Sequence, residues 1–409
     1  MTERCFFLSI SSPHDFEIFC TTHKEMRYNN NQERAKGSGN MSKLEEARLT
    51  INEVDEAMAQ LFEKRMQAVE EVIKYKQKNH LPVLDEKREA FVIEHNTSYI
   101  RDPKYKASYH EFMKQLMGVS RAYQKSVLYH DVIGFQGVEG AFSHIAANRI
   151  FPNRKQKRYA TFEEVFKAVV NQEIAYGIVP FENSYTGEVG EVLDLLIQYP
   201  VYVQGDYDLR ISQNLLGIKG ASLEDIKQVY SKDQAIHQSK RFLQGRGYEL
   251  IPYPNTALAA EYVARMQDKS KAAIAAKENA ELYGLDILAE NINTSDQNTT
   301  RFLILGKALR TKGNRSSLAI IVPHKAGALV AAMNLIAKYG FNMQSIISRS
   351  IKERPWEYYF YIEIDGNIHE AQEKKLLAEL NEVCEQVKIL GLYETKGRDS
   401  HELCKTKGR

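Results

Sequence analysis

The chain has 409 residues, 43% of them hydrophobic and 26% charged, with a formal net charge of +2. Two to four domains are expected at roughly 100 to 200 residues each, and the near balance of charge gives no electrostatic case for a nucleic-acid partner. The apolar runs fall short of the ~20 residues of a membrane helix. The four cysteines (Cys5, Cys20, Cys384, Cys404) show neither metal-ligand nor paired spacing, which fits a reducing, cytoplasmic setting.

Residues 1–41 hold a short apolar stretch, interrupted by His14, Asp15 and Glu17, and then a polar run. The stretch is too short and too interrupted for a convincing signal peptide, so a disordered extension is expected, with Met41 as a second candidate start. From Leu44 the apolar residues Leu44, Ala47, Ile51, Val54, Met58 and Leu61 step by three and four, and the seam runs on through Ala68 and Val72. A heptad stripe of this kind predicts one long helix packed along its length on other helices. Arg65 occupies the seam position between Leu61 and Ala68. A guanidinium there is costly unless paired, either in a structural salt bridge or with a ligand. Lys76 follows about 16 Å further along nearly the same face, so the two side chains can converge on a small dianion. Arg48 lies about 25 Å from Arg65 on another face. If it serves such a site it does so in a partner chain, which predicts a homodimer or larger homo-oligomer. A second helix is expected from the N-cap Asp85, with Asp85, Arg88 and Glu89 on one face. A third runs from Tyr105 to Leu128, with Ser120 and Gln124 one turn apart on or beside its apolar stripe.

The segment from Leu44 to Val127 resembles the all-helical chorismate mutases, on Arg48, Arg65, Lys76, Asp85, Arg88, Glu89, Ser120 and Gln124. The resemblance implies a pericyclic rearrangement of chorismate to prephenate, which needs no nucleophile and no proton transfer. By resemblance, Arg65 and the partner chain's Arg48 grip the two carboxylates, supported by Ser120 and Arg88. Asp85 and Glu89 orient the ring hydroxyl. Lys76 and Gln124 donate to the ether oxygen, where negative charge builds.

Residues 131–309 alternate strand-like runs with helical patterns and read as α/β. Three loops carry polar groups where such folds place ligands. They are the glycine turn Gly137 to Ser143, the segment Val179 to Glu188 with Glu182 and Asn183, and Asn298-Thr299-Thr300-Arg301-Phe302 before a strand. The glycine turn lacks the GxGxxG spacing of a dinucleotide site. With Phe142-Ser143-His144 and Val229-Tyr230-Ser231 they resemble prephenate dehydratase, although Lys232-Asp233 stands where that family often has His-Pro. The resemblance implies two α/β lobes around a cleft, like a periplasmic binding protein. The chain is expected to cross lobes near Leu209 to Gln213 and return near Leu285 to Glu290. It implies Thr300 at the leaving hydroxyl and Arg301 as its helper or as a carboxylate ligand. Glu182 is an alternative acid if burial raises its pKa, and Asn183, Ser231 and Gln238 position the substrate. Phe302 completes the triplet.

After the polar linker Arg310 to Arg315, residues 316–395 read βαββαβ, the ferredoxin-like order. Gly327-Ala328-Leu329-Val330 and Ser348-Arg349 resemble the phenylalanine-binding motifs of an ACT domain, with Asn342 at the start of a strand beside them. Ile347 and Ser350 depart from the second motif.

The expected organisation is a disordered extension (1–41), a helical mutase domain (42–128), a dehydratase domain (131–309), an ACT domain (316–395) and a flexible tail (396–409). The whole resembles the bifunctional chorismate mutase/prephenate dehydratases of phenylalanine biosynthesis, with chorismate and prephenate as substrates and phenylalanine as effector. Neither reaction calls for a metal or organic cofactor. The competing readings are an arogenate dehydratase and a non-catalytic amino-acid sensor.

Overall fold

The structure, a computed structural model, describes residues 42–79, 81–295, 297–351, 357–368 and 373–395. The expectations about residues 1–41 and the tail from Lys396 lie outside the described residues, as do Cys5, Cys20 and Cys404, while Cys384 is a buried free thiol.

Helix α1 (Lys43–Lys78) starts at a capping box, in which Ser42 Oγ accepts from the Glu45 N–H and the Glu45 carboxylate accepts from the Ser42 N–H. Helix α2 (Glu86–Ser98) is capped by Asp85, whose carboxylate accepts the Arg88 N–H at 3.0 Å. Helix α3 (Pro103–Leu128) opens on a proline, whose missing N–H costs nothing at that position. The chain divides into two units between Leu116 and Met117, inside α3.

In the first unit the buried apolar residues among those described are Ile73, Val83 and Met113. The seam of α1 was expected to be covered along its length. Instead Leu44, Ile51, Val54, Met58 and Leu61 are 44–66% exposed. Helix α1 has 36 residues and is therefore ~54 Å long, whereas α2 has only 13.

The second unit contains two sheets. The chain lays down β1 (Val132–Gln136), α4 (Phe142–Ile150), β2 (Lys155–Tyr159), α5 (Phe162–Val170), β3 (Tyr176–Asn183), β4 (Gly187–Glu188), α6 (Gly190–Gln198) and β5 (Tyr202–Arg210). It then passes through residues 211–213 to the second lobe. That lobe holds β6 (Asn214–Gly217), β7 (Gln228–Ser231), α7 (Asp233–Gln238), α8 (Lys240–Leu243), β8 (Glu249–Pro252), α9 (Thr256–Met266), β9 (Lys271–Ala275), α10 (Glu278–Tyr283) and β10 (Asp286–Ala289), with strand order β10-β6-β9-β7-β8. The return falls at residues 290–298, later than expected, because β10 still pairs with β6 in the second lobe. Strand β11 (Thr299–Gly306) then inserts between β5 and β3 of the first lobe.

The C-terminal part runs β12 (Arg315–Ile321), α11 (Ala328–Lys338), β13 (Met343–Ser350), β14 (Tyr358–Asp365), α12 (Glu373–Val383) and β15 (Gln386–Tyr393), in the order β13-β14-β12-β15. It does not form a separate sheet. Strand β15 joins β5 in parallel at Gly391 and Val203, so the sheet continues β15-β5-β11-β3-β1-β2. A Cβ on Gly391 would lie 2.6 Å from the Val203 carbonyl oxygen, so this junction requires glycine. The two parts also share a core, in which Tyr361, Leu390 and Tyr393 pack with Val179, Phe181 and Leu303.

Candidate functional site

Strands β3 and β11 are antiparallel neighbours, and their register sets Asn183 opposite Thr300. The Asn183 amide nitrogen donates to Thr300 Oγ1 at 2.8 Å, to Asn298 Oδ1 at 2.9 Å and to the Thr299 carbonyl at 3.2 Å. Its Oδ1 accepts the Tyr185 and Thr186 N–H groups at 3.0 and 3.3 Å, so the loop after β3 locks its rotamer. Asn298 is 1% exposed and donates onward to Gln238 Oε1 at 3.0 Å. A continuous polar chain thus runs from Thr300 through Asn183 and Asn298 to Gln238. It joins the first lobe to the second along a cleft of about 600 Å³ whose lining includes Tyr185, Thr186, Gln238, Arg241, Thr294 and Asn298. Because the Thr300 oxygen already accepts from Asn183, its own proton is available to a ligand.

In the sequence Asn298 is picked out only as part of its segment, with no role of its own. It stands two residues before Thr300, but nothing in a strand flank announces that its amide bridges two lobes.

Arg301 is placed differently from expectation. Neighbouring residues of a strand face opposite sides, and Arg301 turns away from Thr300. Its guanidinium forms a fork with Glu363 at 2.9 and 2.6 Å, donates from Nε to Asp206 at 3.0 Å and lies over the Phe181 ring. Tyr361 and Tyr393 both donate to Glu363 Oε1, at 2.7 and 3.0 Å. Arg301 is 6% exposed and Glu363 1%. Burial disfavours charge on both, but each holds the other ionised: the Glu363 pKa is lowered from 4.5 and that of Arg301 is raised. The proposed help to Thr300 and the proposed substrate-carboxylate contact both fail on this geometry.

Ser231 is fully buried and donates to the Ile274 carbonyl at 2.7 Å, pinning β7 to β9 rather than facing the cleft. Glu182 is partly exposed, 3.6 Å from the Arg301 guanidinium, and lacks the burial that an acid role required. Phe302 is buried with Ile133, Phe135 and Leu209 in the core beneath Thr300. In the glycine turn, Gly140 lets the first lobe touch the second: a Cβ there would sit 2.0 Å from Asn279 Oδ1, and the Asn279 amide donates to the Gly140 carbonyl at 3.0 Å.

In the helical unit, Lys76 Nζ donates to the Val83 carbonyl near the end of the link to α2. Burial lowers the Lys76 pKa, and the nearby charges of Asp85 and Glu89 oppose this without cancelling it. Arg65 is half-buried, and burial lowers its pKa too. Arg48, Asp85 and Arg88 are exposed, and Glu89 is half-buried. On the second unit's part of α3, Ser120 and Gln124 are buried at 2% and 8% exposure, and Gln124 Oε1 is buried without a hydrogen-bond partner.

In the C-terminal part, Gly327 adopts φ +81° as it opens α11. Gly327, Ala328, Leu329 and Val330 line a cavity of about 380 Å³ with Tyr358 and Phe360. The second motif does not reach it. Ser348 is exposed, and Asn342 donates to Asp365 at 3.0 Å. Arg349 binds Asp194 of α6 through Nε and Nη2 at 3.0–3.2 Å, with Tyr359 Oη donating to the same carboxylate at 2.8 Å. An acidic partner with fork geometry on the adjoining helix holds this arginine. Among the described residues there is no cluster of metal-ligating side chains, and no helix is long and apolar enough to cross a membrane.

The class of protein these features define is a helical domain joined to a two-lobed α/β domain, with Thr300 and Asn183 at the lobe boundary of the second. The family model for chorismate mutase type II matches residues 47–125, and that for prephenate dehydratase matches residues 133–310. The bifunctional chorismate mutase/prephenate dehydratase of Neisseria gonorrhoeae is 34% identical over 305 residues, covering 73% of this chain and 82% of that one. The chain belongs to the family of bifunctional chorismate mutase/prephenate dehydratases. Among solved structures, GqqA, described as a novel type of quorum quenching acylase, matches with a TM-score of 0.60 at 30% identity, over 64% of this chain and 97% of that one. The prephenate dehydratase of Arthrobacter aurescens in complex with L-Phe matches with a TM-score of 0.59 at 25% identity, over 64% and 90%.

Proposed function

We propose that this chain rearranges chorismate to prephenate in its helical part and converts prephenate to phenylpyruvate in its α/β part. The observation that carries the second step is the 2.8 Å bond from Asn183 to Thr300 Oγ1. It orients the threonine proton outward and leaves an N–H donor on the oxygen that gives the proton up. Thr300 protonates the leaving ring hydroxyl as the C–O bond breaks. The electrons of the bond to the ring carboxylate enter the ring, and water and carbon dioxide leave as it aromatises. Asn183 stabilises the charge on Thr300 until a proton returns. Gln238 and Asn298 position the substrate.

In the helical part, Arg65, Lys76, Asp85, Arg88, Glu89, Ser120 and Gln124 hold chorismate in its reactive conformer, with Arg48 supplied by a second copy. The bare seam of α1 supports a homodimer. The C-terminal part is an ACT domain that takes phenylalanine at Gly327 to Val330. The cavity lined by Gly327 to Val330 and the L-Phe complex of the Arthrobacter relative support that reading.

The test is a chorismate feed to the purified chain, with and without phenylalanine. Chorismate should disappear and phenylpyruvate appear, less of it when phenylalanine is present. Thr300→Ala should stop the reaction at prephenate with mutase activity intact. A variant that still makes phenylpyruvate would remove Thr300 from the mechanism.

A further inference from the structure

The dehydratase substrate is a dianion, and the structure spends its most obvious counter-ion. Arg301 is held by Glu363 and Asp206 on the far face of β11. A cation for the substrate must therefore come from elsewhere. The described residues lining the cleft at Asn298 and Gln238 include no carboxylate, but they do include Lys240, Arg241 and His237. Both Lys240 and Arg241 are exposed on the second-lobe wall. Hydrogen bonds tie the backbone beside them to Gln238, whose Oε1 accepts from the Asn298 amide two residues before Thr300. The Arg241 N–H donates to Thr294 Oγ1 at 3.5 Å, and the Thr294 N–H donates to the Gln238 carbonyl at 2.7 Å.

The two substrate carboxylates are not equivalent. The ring carboxylate departs as carbon dioxide, and a cation gripping it would stabilise the ground state against the reaction. The side-chain carboxylate keeps its charge throughout and can be held without that cost. We infer that Lys240 and Arg241 bind the side-chain carboxylate of the substrate and select a 2-oxo acid over the corresponding 2-amino acid. The amino acid, arogenate, carries an ammonium beside that carboxylate, where the two cations repel it. This rests on the dehydratase reading and adds the substrate preference to it.

The experiment is steady-state kinetics of the full chain with prephenate and with arogenate, on Lys240→Gln, Arg241→Gln and the double variant. Exposed positions of this kind tolerate substitution. The KM for prephenate should rise about tenfold per lost charge-assisted contact, with kcat and mutase activity held. The preference in kcat/KM for prephenate over arogenate should fall by about tenfold or more. Arg241→Lys, which keeps the charge, should recover part of the KM. A double variant with unchanged KM for prephenate and unchanged preference would overturn the assignment while leaving the dehydratase reading intact. A wild-type chain that consumed no prephenate would sink the dehydratase reading itself, and this assignment with it.

Discussion

Gln124 shows how much a single buried amide is asked to do. It is 8% exposed and its Oε1 lacks a hydrogen-bond partner. Most buried polar groups are hydrogen-bonded, but the orientation of this amide is not set by a bond to its oxygen. Its proposed role is to donate an N–H to the ether oxygen of chorismate, and an amide does this at any pH. A carboxyl in its place donates only when protonated, with an ordinary pKa of about 4.3. Gln124→Glu should therefore show mutase activity that falls as pH rises, with at least a ~tenfold deficit at pH 8, where the wild type stays flat. Undiminished activity of the variant at pH 8 would refute the donor role. The residue types of this site were legible in the sequence, because charges on an apolar helical stripe stand out. Side-chain direction was not. Arg301 and Thr300 are adjacent in sequence, but strand alternation sends them to opposite faces, and only the neighbouring strands decide which face meets the cleft.

At the scale of elements, β11 is the piece on which both halves of the second unit converge. One face of it presents Thr300 to Asn183, and the other presents Arg301 to Glu363 on β14. Helix α6, which follows the Asn183 loop, is held at Asp194 by Arg349. Its C-terminal carbonyls at Leu196, Ile197 and Tyr199 accept from Lys388 Nζ at 2.7–2.9 Å. The C-terminal sheet is thus built into the dehydratase lobe. Removing one partner of a buried ion pair costs about 3–5 kcal/mol. Glu363→Ala should lose stability in that range, toward its lower end because Asp206 stays with Arg301. The pH dependence has a definite sign. The Glu363 pKa is lowered from 4.5, so its contribution is present above that value and fades as pH falls through the folded-state pKa. The variant should lack that part of the acid sensitivity. Urea unfolding at pH 7 and pH 4 measures both, and equal midpoints for wild type and variant at pH 7 would rule the strut out. The strands themselves were readable from their alternation of apolar residues. Their continuity into one sheet was not, because it rests on a non-local pairing at Gly391, and a lone glycine in a strand pattern gives no partner.

At the scale of the whole molecule, the bare seam of α1 and the position of Arg48 make one argument. Leu44, Ile51, Val54, Met58 and Leu61 are exposed in the single chain, a contiguous apolar stripe of the kind a partner covers. Arg48 lies on the same stretch of helix, about 25 Å from Arg65. In a symmetric dimer whose sites each take Arg65 from one chain and Arg48 from the other, the two defects are complementary. Arg48→Ala and Arg65→Ala should each abolish mutase activity when expressed alone. Co-expressed in equal amounts, half of the dimers are mixed and each mixed dimer holds one intact site, so roughly a quarter of the wild-type mutase activity should return. Dehydratase activity should be unaffected in every sample and serves as the measure of folded protein. A co-expressed sample no more active than either variant alone would mean that each site is built from one chain, and the seam of α1 would then need another explanation.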